Sequence, residues 1–106
     1  LDMATAVSAS GPAYVFLFIE AMIDAGVYLG LPRDTAKKLV LQTVRGSSQL
    51  ALSSTQHPAQ LKDAVTSPGG TTAAALLVLE QREFKGSVMQ AIIAAYDKSN
   101  KLGKNS

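Results

Sequence analysis

The segment from Val65 to Glu80 reads Val-Thr-Ser-Pro-Gly-Gly-Thr-Thr-Ala-Ala-Ala-Leu-Leu-Val-Leu-Glu. It sets one proline and two glycines directly ahead of a strongly apolar helical stretch, with two threonines at the junction. Proline limits the backbone and glycine permits a sharp reversal, so the chain must turn here and then begin a helix. The first N–H groups of that helix have no internal partner. A carboxylate or phosphate placed against them gains hydrogen bonds and the favourable end of the helix dipole. Spacing alone favours a plain interhelical turn with a threonine cap and leaves the anion site open. The run is not a nucleotide P-loop, because no lysine follows the second glycine.

The same punctuation divides the rest of the chain. Ser10-Gly11-Pro12 predicts a helix start, and the helix should run to about Leu29 with Gly30 just beyond its end. Val15, Phe16, Ile19, Met22 and Ile23 fall on one stripe, and Leu17 and Phe18 widen it. A helix with so broad an apolar surface is buried on more than one side. Pro32-Arg33-Asp34-Thr35 opens a second helix, from about Arg33 to Ser53. Gly46-Ser47-Ser48 weakens it locally and offers small residues that another helix can approach closely. The break Thr55-Gln56-His57-Pro58 leads into a short helix through about Val65. A fourth helix is expected from about Thr71 to Arg82, a connection at Glu83 to Gly86, and a last helix from roughly Phe84 to Leu102 with Val88, Met89, Ile92, Ile93 and Tyr96 as its stripe. No strand-like alternation stands out. The reading is all-α, about five helices, in a single domain over residues 1–106.

Composition adds a constraint on partners. The chain is 47% hydrophobic and only 17% charged, against about 25% charged in typical globular domains. A domain of this size hides only about two-thirds of the surface of its unfolded chain, so another chain or domain is expected to cover the excess. The net charge of +2 is weak support for a nucleic-acid partner. Lys98, Lys101 and Lys104 have no interleaved aromatic residues for stacking, and read as a solvated helix end. The absence of cysteine removes disulfides, a thiolate nucleophile and thiolate zinc sites. The longest strictly apolar runs, Ala13 to Ile19 and Ala73 to Leu79, have seven residues each, short of the ~20 a spanning helix needs. No membrane span is expected, no signal peptide is visible, and a cytoplasmic location is expected. The start Leu1-Asp2-Met3 reads as the inside of a longer protein.

No complete catalytic set is present. His57, the sole histidine, precedes a proline at a helix start, where a capping or exposed role is the common outcome. Lys62-Asp63 reads as a surface pair, Glu20 and Asp24 as the wet face of a helix, and Tyr14 and Tyr28 as core-edge residues. An enzyme built on this chain needs a cofactor or another segment to supply the chemistry.

Leu61-Lys-Asp-Ala-Val-Thr-Ser-Pro-Gly-Gly-Thr-Thr-Ala-Ala-Ala-Leu, followed by Leu79-Glu80, closely resembles the C-terminal signature of the pyrroline-5-carboxylate reductases. Ser8-Ala9-Ser10-Gly11-Pro12-Ala13-Tyr14 resembles the motif that opens the long first helix of that domain, and Gly30-Leu31-Pro32 matches as well. The resemblance covers nearly the whole chain, with the motifs in order. It implies an intertwined dimerisation domain of the 6-phosphogluconate-dehydrogenase-like C-terminal type, a homodimer and in some relatives a ring of dimers. It also implies reduction of 1-pyrroline-5-carboxylate to L-proline with NADPH or NADH, the dinucleotide being bound by an N-terminal Rossmann domain. No Gly-x-Gly-x-x-Gly occurs here, so that domain is not within these residues, and this segment alone is expected to be inactive. In the family the Ser-Pro-Gly-Gly-x-Thr turn binds the substrate carboxylate. The resemblance therefore points to Ser67, Gly69, Gly70, Thr71 and Thr72 for substrate binding, with the Thr72 hydroxyl as the catalytic candidate near the ring nitrogen. Two positions depart from the pattern: Thr55, where some relatives carry an acid, and Ala64, where others carry Asn or Gln. Two other classes remain as alternatives. One is the helical domain of another Rossmann-type imine or hydroxy acid reductase, although the first long helix here offers Glu20 and Asp24 and no lysine. The other is a non-enzymatic helical oligomerisation module.

Overall fold

The computed structural model describes the backbone of residues 2–104 and the side chains of residues 2–102. Five helices follow in order: α1 (Met3–Tyr28), α2 (Arg33–Ser53), α3 (Pro58–Ala64), α4 (Thr71–Gln81) and α5 (Phe84–Lys104). No strand is present among the described residues, in line with the all-α expectation. The chain forms two compact units. One comprises the chain through Phe16 together with the segment from Leu76 onward, and the other comprises Leu17–Ala75.

In the Leu17–Ala75 unit, α1 ends as the glycine predicts. Gly30 has φ +114°, its N–H donates to the Val27 carbonyl at 3.0 Å, and the Leu31 N–H donates to the Gly26 carbonyl at 3.0 Å. This pair of bonds across a left-handed glycine is a Schellman ending, which satisfies two carbonyls that the helix leaves open. Pro32 then takes the cap position of α2 (φ −57°, ψ 144°) without a side-chain hydrogen bond. Asp34 lies in the first turn, where its charge suits the dipole. A Cβ on Gly26 would lie 3.2 Å from the Ala36 Cβ and 3.5 Å from Leu31 Cδ1, so α1 and the start of α2 approach to a distance that only glycine accommodates comfortably. Ala36 and Val40 are the buried residues of this unit. The Arg33 guanidinium meets Asp24 at 3.0 Å, with both side chains well exposed, so the pair contributes little to stability.

In the other unit, α1 begins earlier than the sequence suggests. Asp2 Oδ1 accepts from both the Thr5 N–H and the Thr5 hydroxyl at 2.8 Å, and the Ala6 N–H donates to the Asp2 carbonyl. Asp2 caps α1, Ala6 is buried, and Pro12 lies inside the helix. The expected start at Ser10 fails because a better cap lies upstream, and a proline within a helix removes only one ladder bond directly. The Thr5 hydrogen bonds hold the Asp2 carboxyl below the usual carboxylate range, the backbone one foremost. At the other junction, α4 and α5 are separated by Arg82 and Glu83 alone. Glu83 takes φ 57°, and its carbonyl accepts the Ser87 N–H at 2.8 Å. Gly86, expected in a connection, lies within α5, because the break between α4 and α5 is complete at Glu83, the left-handed residue just before α5 begins.

Within this chain nothing lies within 4 Å of the point a Cβ on Gly46 would occupy, so the surface there is open, and the close approach between helices of the chain itself occurs at Gly26. Tyr28, read as a core-edge residue, is 90% exposed, because it closes α1 just before the chain turns. The side chain of Lys104, grouped with Lys98 and Lys101, lies outside the described residues.

The fold leaves its apolar residues largely uncovered. Among the described residues only Ala6, Ala36 and Val40 are buried hydrophobics, while Phe16 and Leu17 are 66% and 65% exposed. The helix α1 has 26 residues and a mean hydropathy of 1.5 over an 18-residue window. By length and composition it is long and apolar enough to cross a membrane. Its strictly apolar runs are short, contrary to the expectation of no span, because Ser, Gly and acidic residues interrupt them without lowering the average enough.

Candidate functional site

Residues 66–72 form a tied-down turn ahead of α4. The Gly70 N–H donates to the Ser67 carbonyl at 3.1 Å, Pro68 follows Ser67, and Gly69 takes φ +67°. Proline second, a left-handed glycine third and a bond from the fourth residue to the first define a type II turn. The turn is anchored upstream by Thr66. Its N–H donates to the Asp63 carbonyl at 3.1 Å, and its hydroxyl donates to the Lys62 carbonyl at 2.7 Å. These bonds pin the turn to the end of α3. Sequence reasoning assigned Thr66 no role. Only its position just past a short helix, where a hydroxyl can bond back to the previous turn, signals one.

Downstream, the Gly70 carbonyl accepts the Ala74 N–H at 3.2 Å. Gly70 is thus the cap residue of α4, and neither threonine caps the helix as the connector reading required. Among the described residues, no group accepts a hydrogen bond from the N–H of Thr71, Thr72 or Ala73, and the hydroxyls of Ser67, Thr71 and Thr72 have no partner. Thr72 and Gly70 are half-buried, while Ser67, Gly69 and Thr71 are exposed. Ser67 Oγ leans over the helix start: a Cβ on Gly70 would collide with it and would lie 3.3 Å from the Ser67 carbonyl oxygen. Glycine at position 70 keeps that space clear.

The result is a set of donors without acceptors at the positive end of an 11-residue helix. The hydroxyl of Ser67 and the N–H groups of Thr71, Thr72 and Ala73 lie about one helix start. Hydrogen bonds to a charged acceptor contribute about 1.5–3 kcal/mol each when made, and the helix end adds up to about 1 kcal/mol for an anion. The arrangement suits a small carboxylate. No cation side chain is needed, and Lys62, the nearest in sequence, is exposed on α3.

The other sequence candidates stay outside this turn's chemistry. His57 Nδ1 accepts from the Ala59 N–H at 3.0 Å and caps α3, one of the two roles expected of it. Asp24 pairs with Arg33, and Glu20 is exposed. Lys62 and Asp63 are both exposed, and their carbonyls hold Thr66. Thr55 is exposed between α2 and α3, and Ala64 is the last residue of α3. No group of three or more His, Cys, Asp or Glu residues able to hold a metal exists among the described residues.

Known proteins share both the sequence and this fold. Residues 1–102 match the family model described as pyrroline-5-carboxylate reductase dimerisation. A pyrroline-5-carboxylate reductase from Synechocystis sp. is 55% identical over 104 residues, covering 98% of this chain and 39% of the relative. One from Escherichia coli is 50% identical over 99 residues, covering 93% of this chain and 37% of the relative. The crystal structure of Plasmodium falciparum pyrroline carboxylate reductase with NADP bound superposes with a TM-score of 0.93 at 53% identity, covering 95% of this chain and 41% of that one. The chain thus spans about two-fifths of the length of the relatives it matches.

Proposed function

Because this chain belongs to the pyrroline-5-carboxylate reductase dimerisation family, we propose that it is the C-terminal dimerisation and substrate-binding domain of an enzyme that reduces 1-pyrroline-5-carboxylate to L-proline. The observation that carries the reading is the row of unpartnered donors at the start of α4, with Ser67 Oγ over Gly70. A five-membered imino acid presents one carboxylate, and this turn offers donors matched to one.

In this reading the N–H groups of Thr71, Thr72 and Ala73 and the Ser67 hydroxyl hold the carboxylate, and Gly69 and Gly70 give the backbone its approach. The Thr72 hydroxyl is the catalytic candidate. It is half-buried and has no internal partner, so it is available to donate to the ring nitrogen. A C=N carbon becomes more electrophilic as its nitrogen gains a proton or a hydrogen bond. Fixing the ring at its carboxylate also orders it for reaction, which contributes much of the rate in a two-reactant step. In the intact enzyme, NADPH or NADH would supply the hydride when bound. This chain offers no glycine-rich dinucleotide loop, so its own residues fit the substrate end of the site and not the pyrophosphate.

The uncovered apolar surface fits the same reading. A second copy of this domain is the proposed cover for α1, with assembly into a ring of dimers a further step of the proposal. A cytoplasmic location, and function without membrane or nucleic acid, belong to it as well. In the intact enzyme, Thr72→Ala is expected to lower turnover while leaving NADPH binding little changed. Unchanged turnover would remove Thr72 from the chemistry.

A further inference from the structure

The start of α3 carries a second device. His57 and Gln60 form a reciprocal capping box: the Ala59 N–H donates to His57 Nδ1 at 3.0 Å, and the His57 N–H donates to Gln60 Oε1 at 2.9 Å. A hydroxyl or carboxamide makes such a cap at any pH near neutrality. An imidazole makes it only while Nδ1 keeps its lone pair, since both ring nitrogens of the cation are donors. From these contacts we infer that His57 is a proton-sensitive cap, whose protonation frays α3 and loosens the segment that feeds the Ser67–Thr72 turn.

Three features support the coupling. First, protonation sets a donor against the Ala59 N–H and places a cation at a helix N-terminus, both unfavourable. Second, α3 has only seven residues, so it depends on its ends, and a helix this short does not stand on propensity. Third, its last turn is what anchors the downstream turn: Thr66 bonds to the carbonyls of Lys62 and Asp63, and Ser67 follows at once. Fraying that reaches Lys62 releases Thr66.

Proton access is direct, because His57 is exposed. The charged groups of this unit are Glu20 and Asp24 on α1, Arg33, Asp34, Lys37, Lys38 and Arg45 on α2, and Lys62 and Asp63 on α3. Among the described residues none of them has an ion pair or hydrogen bond with His57. The proton and the Ala59 N–H therefore compete for one lone pair, and the cap is present at higher pH and lost on acidification. The cap acts in this way whatever the turn binds.

The test is residue-resolved amide exchange on the intact protein, corrected for intrinsic rates, between about pH 8 and pH 5, where histidines change charge. Wild type is expected to lose about fivefold protection at Ala59 on acidification, the scale of a lost cap, with Thr66 falling in the same direction. His57→Asn supplies a cap that does not titrate, and should keep its protection across the range. Protection at Ala59 that is unchanged with pH in wild type, or that falls equally in His57→Asn, would overturn the inference. A Thr66 amide indifferent to pH would overturn its link to the turn. Nitrogen chemical shifts of the ring give an independent check that needs no variant: Nδ1 should be the unprotonated nitrogen at about pH 8, and a proton on Nδ1 there refutes the cap.

Discussion

Gly70→Ala tests how the turn is built and what it is for. The added Cβ collides with Ser67 Oγ and lies 3.3 Å from the Ser67 carbonyl oxygen. The hydroxyl can escape by changing rotamer, but the carbonyl cannot, because it accepts the Gly70 N–H. Residual crowding, with alanine being a poorer cap than glycine, should cost about 1–2 kcal/mol of stability. The larger consequence is for the ligand. Once rotated, the hydroxyl no longer overhangs the helix start, and the carboxylate proposed to bind there would lose one charge-assisted hydrogen bond. That is about 1.5 kcal/mol, or roughly tenfold in Kd. Ser67→Ala deletes the same hydroxyl without crowding and should cost a similar amount in binding at little cost in stability. The two changes act on one group, so the double variant should bind L-proline roughly tenfold more weakly than wild type, no worse than either single. Calorimetric titration of the intact protein measures all four affinities. A double variant weakened about a hundredfold, the product expected of independent sites, would refute the claim that Gly70 acts by clearing space for Ser67.

Gly69→Ala forces a side chain onto a residue at φ +67° and should cost about 1–2 kcal/mol in denaturant unfolding, with Gly69→Asn milder. Glu83→Gly relieves the same left-handed strain between α4 and α5 and should raise the urea midpoint by the equivalent of about 1 kcal/mol. Leu17→Glu acts on a residue that is 65% exposed in the single chain; if a second copy buries it, removing about 2 kcal/mol from each of two symmetric sites weakens the dimer roughly a thousandfold, as read by sedimentation. The Thr5 hydrogen bonds lower the Asp2 carboxyl's proton affinity in the folded state. Its contribution is therefore present above the ordinary carboxylate range and is lost as pH falls through the lowered value, which exchange at the Thr5 amide would follow.

The helices were legible where one residue type decides the backbone. Pro32 and Pro58 fix φ and lack a donor, Gly30 and Gly69 admit the left-handed φ that a turn needs, and the boundaries beside them fall where the sequence places them: α2 spans Arg33–Ser53 as expected. Legibility failed where two signals compete. At Ser10-Gly11-Pro12 a good cap was present in sequence, but Asp2 made the cap in space, and the helix ran through the proline. Nothing in the sequence marks Glu83 as left-handed, since glutamate rarely takes that φ; it is the last residue before α5 begins. At the site, residue types and order pointed to the turn. What they could not reveal was that Gly70 takes the cap position, leaving both threonine hydroxyls available. That distinction depends on a shift of one residue, and it separates a connector from a clamp.

Everything proposed for catalysis rests on the start of α4 holding the substrate's carboxylate. A crystal structure of the intact protein with L-proline bound would decide the matter. The carboxylate oxygens should lie within hydrogen-bonding distance of the Ser67 hydroxyl and the N–H groups of Thr71, Thr72 and Ala73, with the ring nitrogen beside the Thr72 hydroxyl. L-proline bound with its carboxylate elsewhere, and those donors facing water, would rule the clamp out.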